Sequence, residues 1–165
     1  MHHIHPFVVA QLLVLLALAN GTPIIAKKIL GTALAHPLDN GIALSDGRRL
    51  LGYSKTIRGV VLSIFMTTLF APWIGLDWPV GFAVSTVAMI GDLLSSFIKR
   101  RMKLEPGSRA LGLDQVPESL LPALICRWVL PVTVLDAVIV TGLFFIGDLA
   151  ISRALFALHI RDHPY

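Results

Sequence analysis

Apolar runs on the scale of a lipid bilayer limit this chain to helices that cross a membrane, and one of those runs carries an aspartate. A spanning helix needs ~20 mainly apolar residues, or somewhat fewer at a thinned or broken site. Candidate spans run from Pro6 to Ala26, from Ile57 to Leu76 and from Val80 to Ile98. A further run, Leu120 to Leu158, is too long for one span. It breaks near Leu130-Pro131, because proline lacks the amide donor and disfavours helix in the residue before it. The fourth helix is then short and the fifth long. The expected fold is an all-α polytopic membrane protein of about five transmembrane helices, with residues 1–165 forming a single domain. A mean hydropathy of +0.77 with 15% charged residues excludes an ordinary soluble domain.

Charge orients the spans. All 14 Lys and Arg residues except Arg127 fall in the Leu30–Ile57 loop with its flanks, in the Lys99–Ser119 loop, or at the C-terminal end. Five spans place these three regions on one face, and the positive-inside rule makes that face cytoplasmic. The N-terminus is then outside, and two functional cytoplasmic loops face the cytosol. The first helix lacks a basic n-region and is followed by Lys27-Lys28, so it is read as retained rather than cleaved. One cysteine, Cys126, rules out a disulfide framework. The basic residues flank spans, which favours anionic head groups and anionic substrates over nucleic acid as partners. A homodimer is left open.

The aspartate is Asp92, in Gly91-Asp92-Leu93-Leu94-Ser95-Ser96-Phe97-Ile98-Lys99-Arg100-Arg101. At about 100° per residue, Lys99, Ser96, Ser95 and Lys103 lie within about 60° of Asp92, while Ile90, Leu94, Phe97 and Ile98 take the other side. An ionised Asp at the centre of a membrane helix costs roughly 2.5–3.5 kcal/mol on insertion scales, so it should face a bundle interior and a partner. Lys99 or a bound metal ion is the expected partner. An ion pair with Lys99 is the purely structural alternative, and lipid anchoring that for Lys99-Arg100-Arg101-Lys103.

The first inner loop carries Pro37-Leu38-Asp39 and Asp46-Gly47-Arg48-Arg49-Leu50-Leu51-Gly52-Tyr53-Ser54-Lys55-Thr56-Ile57-Arg58-Gly59. Ser54 is a candidate N-cap for the second helix, which would put Lys55 and Thr56 at a helix N-terminus suited to anions. Two residues too many separate Gly52 from Lys55-Thr56 for a Walker spacing, and no strand precedes, so this is not a P-loop. In the second inner loop, Asp114 lies in a turn ahead of the fourth helix. The remaining polar residues invite blander readings. Histidines 2, 3 and 5 look like a terminal flank, Asp136 and Asp148 belong to no motif, Ser63, Thr67 and Thr68 suit helix packing, and Trp73 and Trp78 suit an interfacial belt.

These loops resemble the CDP-archaeol synthase family of integral-membrane cytidylyltransferases and, more distantly, CDP-diacylglycerol synthases. The resemblance rests on Asn20 with Pro23, Pro37-Leu38-Asp39, the Asp46–Gly52 run, Lys55-Thr56-x-Arg58-Gly59, the Asp92 motif, Gly112-Leu113-Asp114-Gln115 and the closing Pro164-Tyr165. It is collinear over nearly the whole chain. It implies a transferase that moves CMP from CTP to a membrane lipid phosphate of the ether-linked isoprenoid type, releasing pyrophosphate with Mg²⁺ as cofactor. Asp92 and Asp114 match the metal-holding acids. Lys55, Lys99 and Arg100 match the bases that neutralise phosphates. Asp39, Asp46, Arg48, Arg49, Thr56, Arg58, Ser96 and Gln115 fall in the matched motifs as substrate-binding positions.

Two departures stand out. The Lys-Asp pair of the diacylglycerol enzymes is replaced by Glu105-Pro106-Gly107, and an acid expected three residues after Asp114 is replaced by Pro117, with Glu118 next to it. The competing expectations are CDP-diacylglycerol synthase-like activity on phosphatidic acid, a small membrane transporter, or a non-catalytic lipid-binding protein.

Overall fold

The computed structural model describes residues 3–105, 108 and 110–157, with side chains of the last helix through Ala154. It is all-helical: α1 (Pro6–Leu30), α2 (Ile57–Phe70) continued by a 3-10 turn (Ala71–Ile74), α3 (Trp78–Arg101), α4 (Gln115–Cys126) and α5 (Val134–Ala157). Among the described residues four segments are long and apolar enough to cross a membrane, namely Pro6–Leu30, Ile57–Ile74, Trp78–Arg101 and Val134–Ala154. The expected short fourth helix is present with 12 residues. Its start is Gln115 rather than Leu120, because loop residues 112–114 turn directly into helix. α1 also runs one turn past Ala26. Pro106, Gly107, Arg109, His159, Arg161, Pro164 and Tyr165 lie outside the described residues.

Burial is inverted relative to a water-soluble bundle. On α3, Ile90 and Leu94 are exposed, whereas Gly81, Ser85, Ala88, Gly91, Ser95, Ser96, Lys99 and Arg100 are buried. The polar stripe therefore faces the bundle and the apolar side faces lipid, as an intramembrane charge requires. α1 buries Val9, Leu12, Leu16 and Ala19 at helical spacing, and Ser63 Oγ of α2 donates to the Ala19 carbonyl at 2.6 Å. Lipid offers little hydrophobic drive between helices, so close contact of small residues has to supply the packing. A Cβ added to Gly81 would lie 2.6 Å from Ala71 Cβ, and one added to Gly91 would lie 2.4 Å from the Pro117 carbonyl oxygen.

The Gly91 crossing sets the architecture of the site. Gly91 lies ten residues before Arg101, so α4 begins about 15 Å below the loop end of α3 at 1.5 Å per residue. Above that level the polar stripe of α3 meets a loop instead of a helix. Both long loops gather at this end, while exposed Trp73, Trp78 and Trp128 mark the other. That other end is tied by Asp136, which is fully buried. Its carboxylate accepts from the His5 N–H and from the Thr133 N–H and Oγ1, and its Oδ2 pairs with His5 Nδ1 at 3.0 Å. His5 is thus not a loose terminal flank but joins the starts of α1 and α5.

Substituting Gly91 by Val will force α4 away from α3, since the obstacle is backbone. Overpacking of this kind costs typically 1–3 kcal/mol. The thermal unfolding midpoint in detergent should fall by several degrees, whereas Gly142→Ala, which faces open space, should leave it unchanged. An unshifted midpoint for Gly91→Val would contradict the crossing.

Candidate active site

Asp39 organises the first loop. Its carboxylate accepts from the N–H groups of Gly41 (3.1 Å), Leu51 (3.1 Å) and Gly52 (2.9 Å) and pairs with Arg49 at 3.3 Å. Burial opposes its charge, but these amides and the guanidinium outweigh that and hold the carboxyl below its ordinary range. Gly52 sits at φ +98°, a conformation that L side chains rarely adopt, and so presents its amide to Asp39. Arg101 fastens the same loop to α3. It reaches Asp46 Oδ2 at 2.7 Å and the Arg49 carbonyl at 2.8 Å, and its guanidinium lies 5.4 Å from the centre of the Phe97 ring.

The loop then delivers its last residues to the foot of α2. Leu38 N–H donates to the Lys55 carbonyl at 2.8 Å, and Ile57 N–H to that of His36 at 3.0 Å. The cap of α2 is Thr56, whose Oγ1 accepts from Gly59 N–H at 3.1 Å, and not Ser54. A β-region Thr already holding the third following amide leaves Ser54 two residues too early. Arg58 donates to the carbonyls of Gly31 and Ala33, closing the end of α1. Asp39, Asp46, Arg49, Thr56 and Arg58 therefore shape the wall rather than line the charged centre.

That centre is made by α3, Lys55 and the start of α4. Lys55 Nζ lies 2.5 and 2.6 Å from the two Asp92 oxygens. Lys99 Nζ lies 2.7 Å from Asp114 Oδ1 and donates to the Ser108 carbonyl at 2.9 Å. The expected Asp92–Lys99 pair is thus replaced by two crossed pairs. Lys99 shares a face with Asp92 but stands seven residues on, about 10.5 Å along the axis, and it turns towards the second loop. Glu118 of α4 is buried beside Asp92. The Pro117 contact with Gly91 brings it there.

Several donors in the cluster have no protein acceptor. Arg100 is 3% exposed; its Nη2 donates to the Glu105 carbonyl at 2.7 Å, but Nε and Nη1 have no partner among the described residues. The buried Ser96 Oγ is in the same position. Leaving buried donors unmatched is costly, so a buried Arg with two unmatched N–H groups is suited to an anion with several oxygens. Gln115 is 1% exposed and is occupied by protein partners, the Gly112 N–H and Asp148. Arg48 is partly exposed beside Asp46.

The acids supply only oxygen donors, which suits Mg²⁺. No group of three or more His, Cys, Asp or Glu forms a ready-made cage among the described residues. Mg²⁺ commonly uses one or two carboxylates together with substrate phosphates, so Asp92 with Glu118, and Asp114 across the cluster, fit that mode. Sequence reasoning left open whether Glu118 supplies the missing metal ligand, because spacing cannot tell which way an acid just past a proline points. It read Asp148, which lacks any local motif, as a helix-packing or near-interface residue and not a catalytic one.

A family model described as CarS-like CDP-archaeol synthase matches residues 7–77 and 74–165. The CDP-archaeol synthase of Saccharolobus islandicus (strain Y.N.15.51 / Yellowstone #2) is 33% identical over 154 residues, covering 90% of this chain and 89% of the relative. That of Pyrococcus furiosus is 39% identical over 122 residues, covering 67% and 70%. With the Sulfolobus acidocaldarius protein the identity is 47% over 85 residues, and the match spans 48% of this chain and about half, 52%, of the relative. A solved structure described as an intramembrane enzyme for archaeal membrane lipids biosynthesis superposes with a TM-score of 0.68 at 28% identity, covering 84% of this chain and 90% of that one. The chain is a membrane protein and belongs to the CDP-archaeol synthase family.

Proposed function

We propose that this protein transfers CMP from CTP to the phosphate of a membrane lipid of the ether-linked isoprenoid glycerol phosphate type, giving a CDP-lipid and pyrophosphate. The observation that carries this reading is the crossed pairing of Lys55 with Asp92 and Lys99 with Asp114, beside the unmatched donors of Arg100, at one end of an apolar bundle. Such a cluster can take up several phosphates at a boundary that both an aqueous nucleotide and a bilayer lipid can reach.

A phosphate-monoester oxygen is already ionised near pH 7, so no side chain has to remove a proton from the nucleophile. That oxygen forms a bond to the α-phosphorus of CTP as the bond to the β-phosphate oxygen breaks, and pyrophosphate leaves with the electron pair. The protein's task is positioning and charge neutralisation. Lys55, Lys99 and Arg100 counter the charge of CTP and lipid phosphate, which would otherwise repel each other. Asp92 and Asp114, with Glu118 beside Asp92, would hold Mg²⁺, which when bound offsets phosphate charge and polarises the attacked phosphoryl group.

The same reading puts both loops in the cytosol and the N-terminus outside, on the positive-inside rule. An ion-coupled carrier would need polar groups continuing to the far face. Towards that face Leu12, Leu15, Val84, Ala88 and Val140 are buried, and the buried polar side chains of Gln11, Ser85 and Asp136 are hydrogen-bonded within the protein.

Detergent-purified protein given labelled CTP, Mg²⁺ and a panel of lipid phosphates should release pyrophosphate only when an acceptor lipid is present. Preference for the ether-linked isoprenoid acceptor over phosphatidic acid is expected, and lipid-independent release or none at all would defeat the proposal. Chelation with EDTA should stop turnover, and added Mg²⁺ should restore it. Asp92→Asn and Asp114→Asn should each lower kcat by about a hundredfold or more, which corresponds to ~2.7 kcal/mol. Turnover near wild type in either would remove that acid from the metal assignment.

A further inference from the structure

Asp148 stands within α5, 14 residues after Val134, and takes no part in the reaction proposed above. Acids inside membrane helices are rare and usually serve function. Asp148 Oδ2 accepts a hydrogen bond from Gln115 Nε2 at 2.9 Å. Gln115, 1% exposed and the first residue of α4, turns its Oε1 to the Gly112 N–H at 3.0 Å. Gly112 lies at φ +82° and starts the tight turn that carries Asp114, closed from within by Ala110 N–H donating to Asp114 Oδ2 at 3.0 Å and Val116 N–H to the Gly112 carbonyl at 2.9 Å. Asp114 is the N-cap residue of α4, yet its side chain makes no capping bond. The contact through Gln115 therefore ties this turn to another helix.

The chemistry of the pair explains why an acid is used. A glutamine amide has a donor end and an acceptor end and can turn over to exchange them. Asp148 Oδ2 accepts, so opposite Gln115 it keeps the amide donors towards α5 and leaves Oε1 for the Gly112 N–H. A hydrophobic residue could pack α5 against α4 but would leave the Gly112 N–H alone to orient the amide.

We propose that Asp148 is a positioning residue: by fixing the orientation of the Gln115 amide it holds the Gly112–Asp114 turn so that the Asp114 carboxylate faces Lys99 and the substrate phosphates. This inference rests on Asp114 acting as proposed above.

The test compares Asp148→Leu, Asp148→Asn, Gln115→Leu and the Asp148→Leu/Gln115→Leu double variant in full-length protein. Three quantities are read for each: kcat for CDP-lipid formation, Mn²⁺ affinity by titration followed in electron paramagnetic resonance, and the thermal midpoint. Asp148→Leu and Gln115→Leu should each lower kcat by about tenfold or more and weaken Mn²⁺ binding, with midpoints close to wild type. The double variant should be no worse than either single, as expected of two residues acting in one chain. Asp148→Asn, which can still accept from Nε2 but whose own amide can turn over, should recover only part of the loss.

Wild-type values for Asp148→Leu, losses that multiply in the double variant, or losses that track the thermal midpoint would overturn the proposal. If Asp148→Leu does not fold, Gln115→Leu and Asp148→Asn carry the comparison, and a fully active Gln115→Leu overturns it. If wild type makes no CDP-lipid, the functional reading fails by itself, and the Mn²⁺ affinities still decide whether the two residues act together.

Discussion

The structure depends on neutralising Asp92 within an apolar bundle. An ionised acid at that depth is costly on its own, and a buried charge that loses its partner destabilises by roughly 3–5 kcal/mol. The neutralising ammonium comes from Lys55, 37 positions earlier in the chain. The first loop must therefore dip to the level of α3, and its internal order follows from that demand. Asp39 gathers the backbone amides of residues 41, 51 and 52 while Arg101 pins the loop from the helix side. Local loop geometry, long-range charge pairing and the site thus form one connected problem.

The second constraint is steric. Because Gly91 has no side chain, Pro117 lies against α3 and α4 starts part-way down the bundle. A longer fourth helix would cover the polar stripe; the short one leaves Ser96, Lys99 and Arg100 facing a loop. The same contact places Glu118 against Asp92. The departure from the expected motif at Pro117 and Glu118 becomes intelligible, since the proline supplies the contact surface and the next residue supplies the acid.

Much of this was legible from residue order. Apolar length and the Leu130-Pro131 break gave five helices with a short fourth, and the clustering of basic residues gave an arrangement with both long loops at one end. The polar stripe of α3 followed from a 100° wheel. What a wheel cannot report is reach: it puts Lys99 and Asp92 on one face, but a rise of two turns separates them, so partner choice passed to residues brought in by the loops. The His5–Asp136 tie and the Asp148–Gln115 contact were hidden for a related reason. Each depends on a tertiary neighbour, with sequence separations of 131 for His5 and 33 for Gln115. Arg58 carries a family motif, yet its guanidinium goes to the end of α1, a use that no spacing rule signals.

The central claim is that the crossed Lys–Asp pairs form a single receptor for nucleotide phosphates. Calorimetric titration of CTP with Mg²⁺ into the detergent-solubilised protein tests it most directly, with wild type set beside the Lys55→Met/Asp92→Asn double variant, which leaves neither member of that pair as an unpaired buried charge. The account predicts saturable binding at one site in wild type, weakened about tenfold or more in the double variant, a difference of ~1.4 kcal/mol. Equal CTP affinity in the two proteins would contradict it.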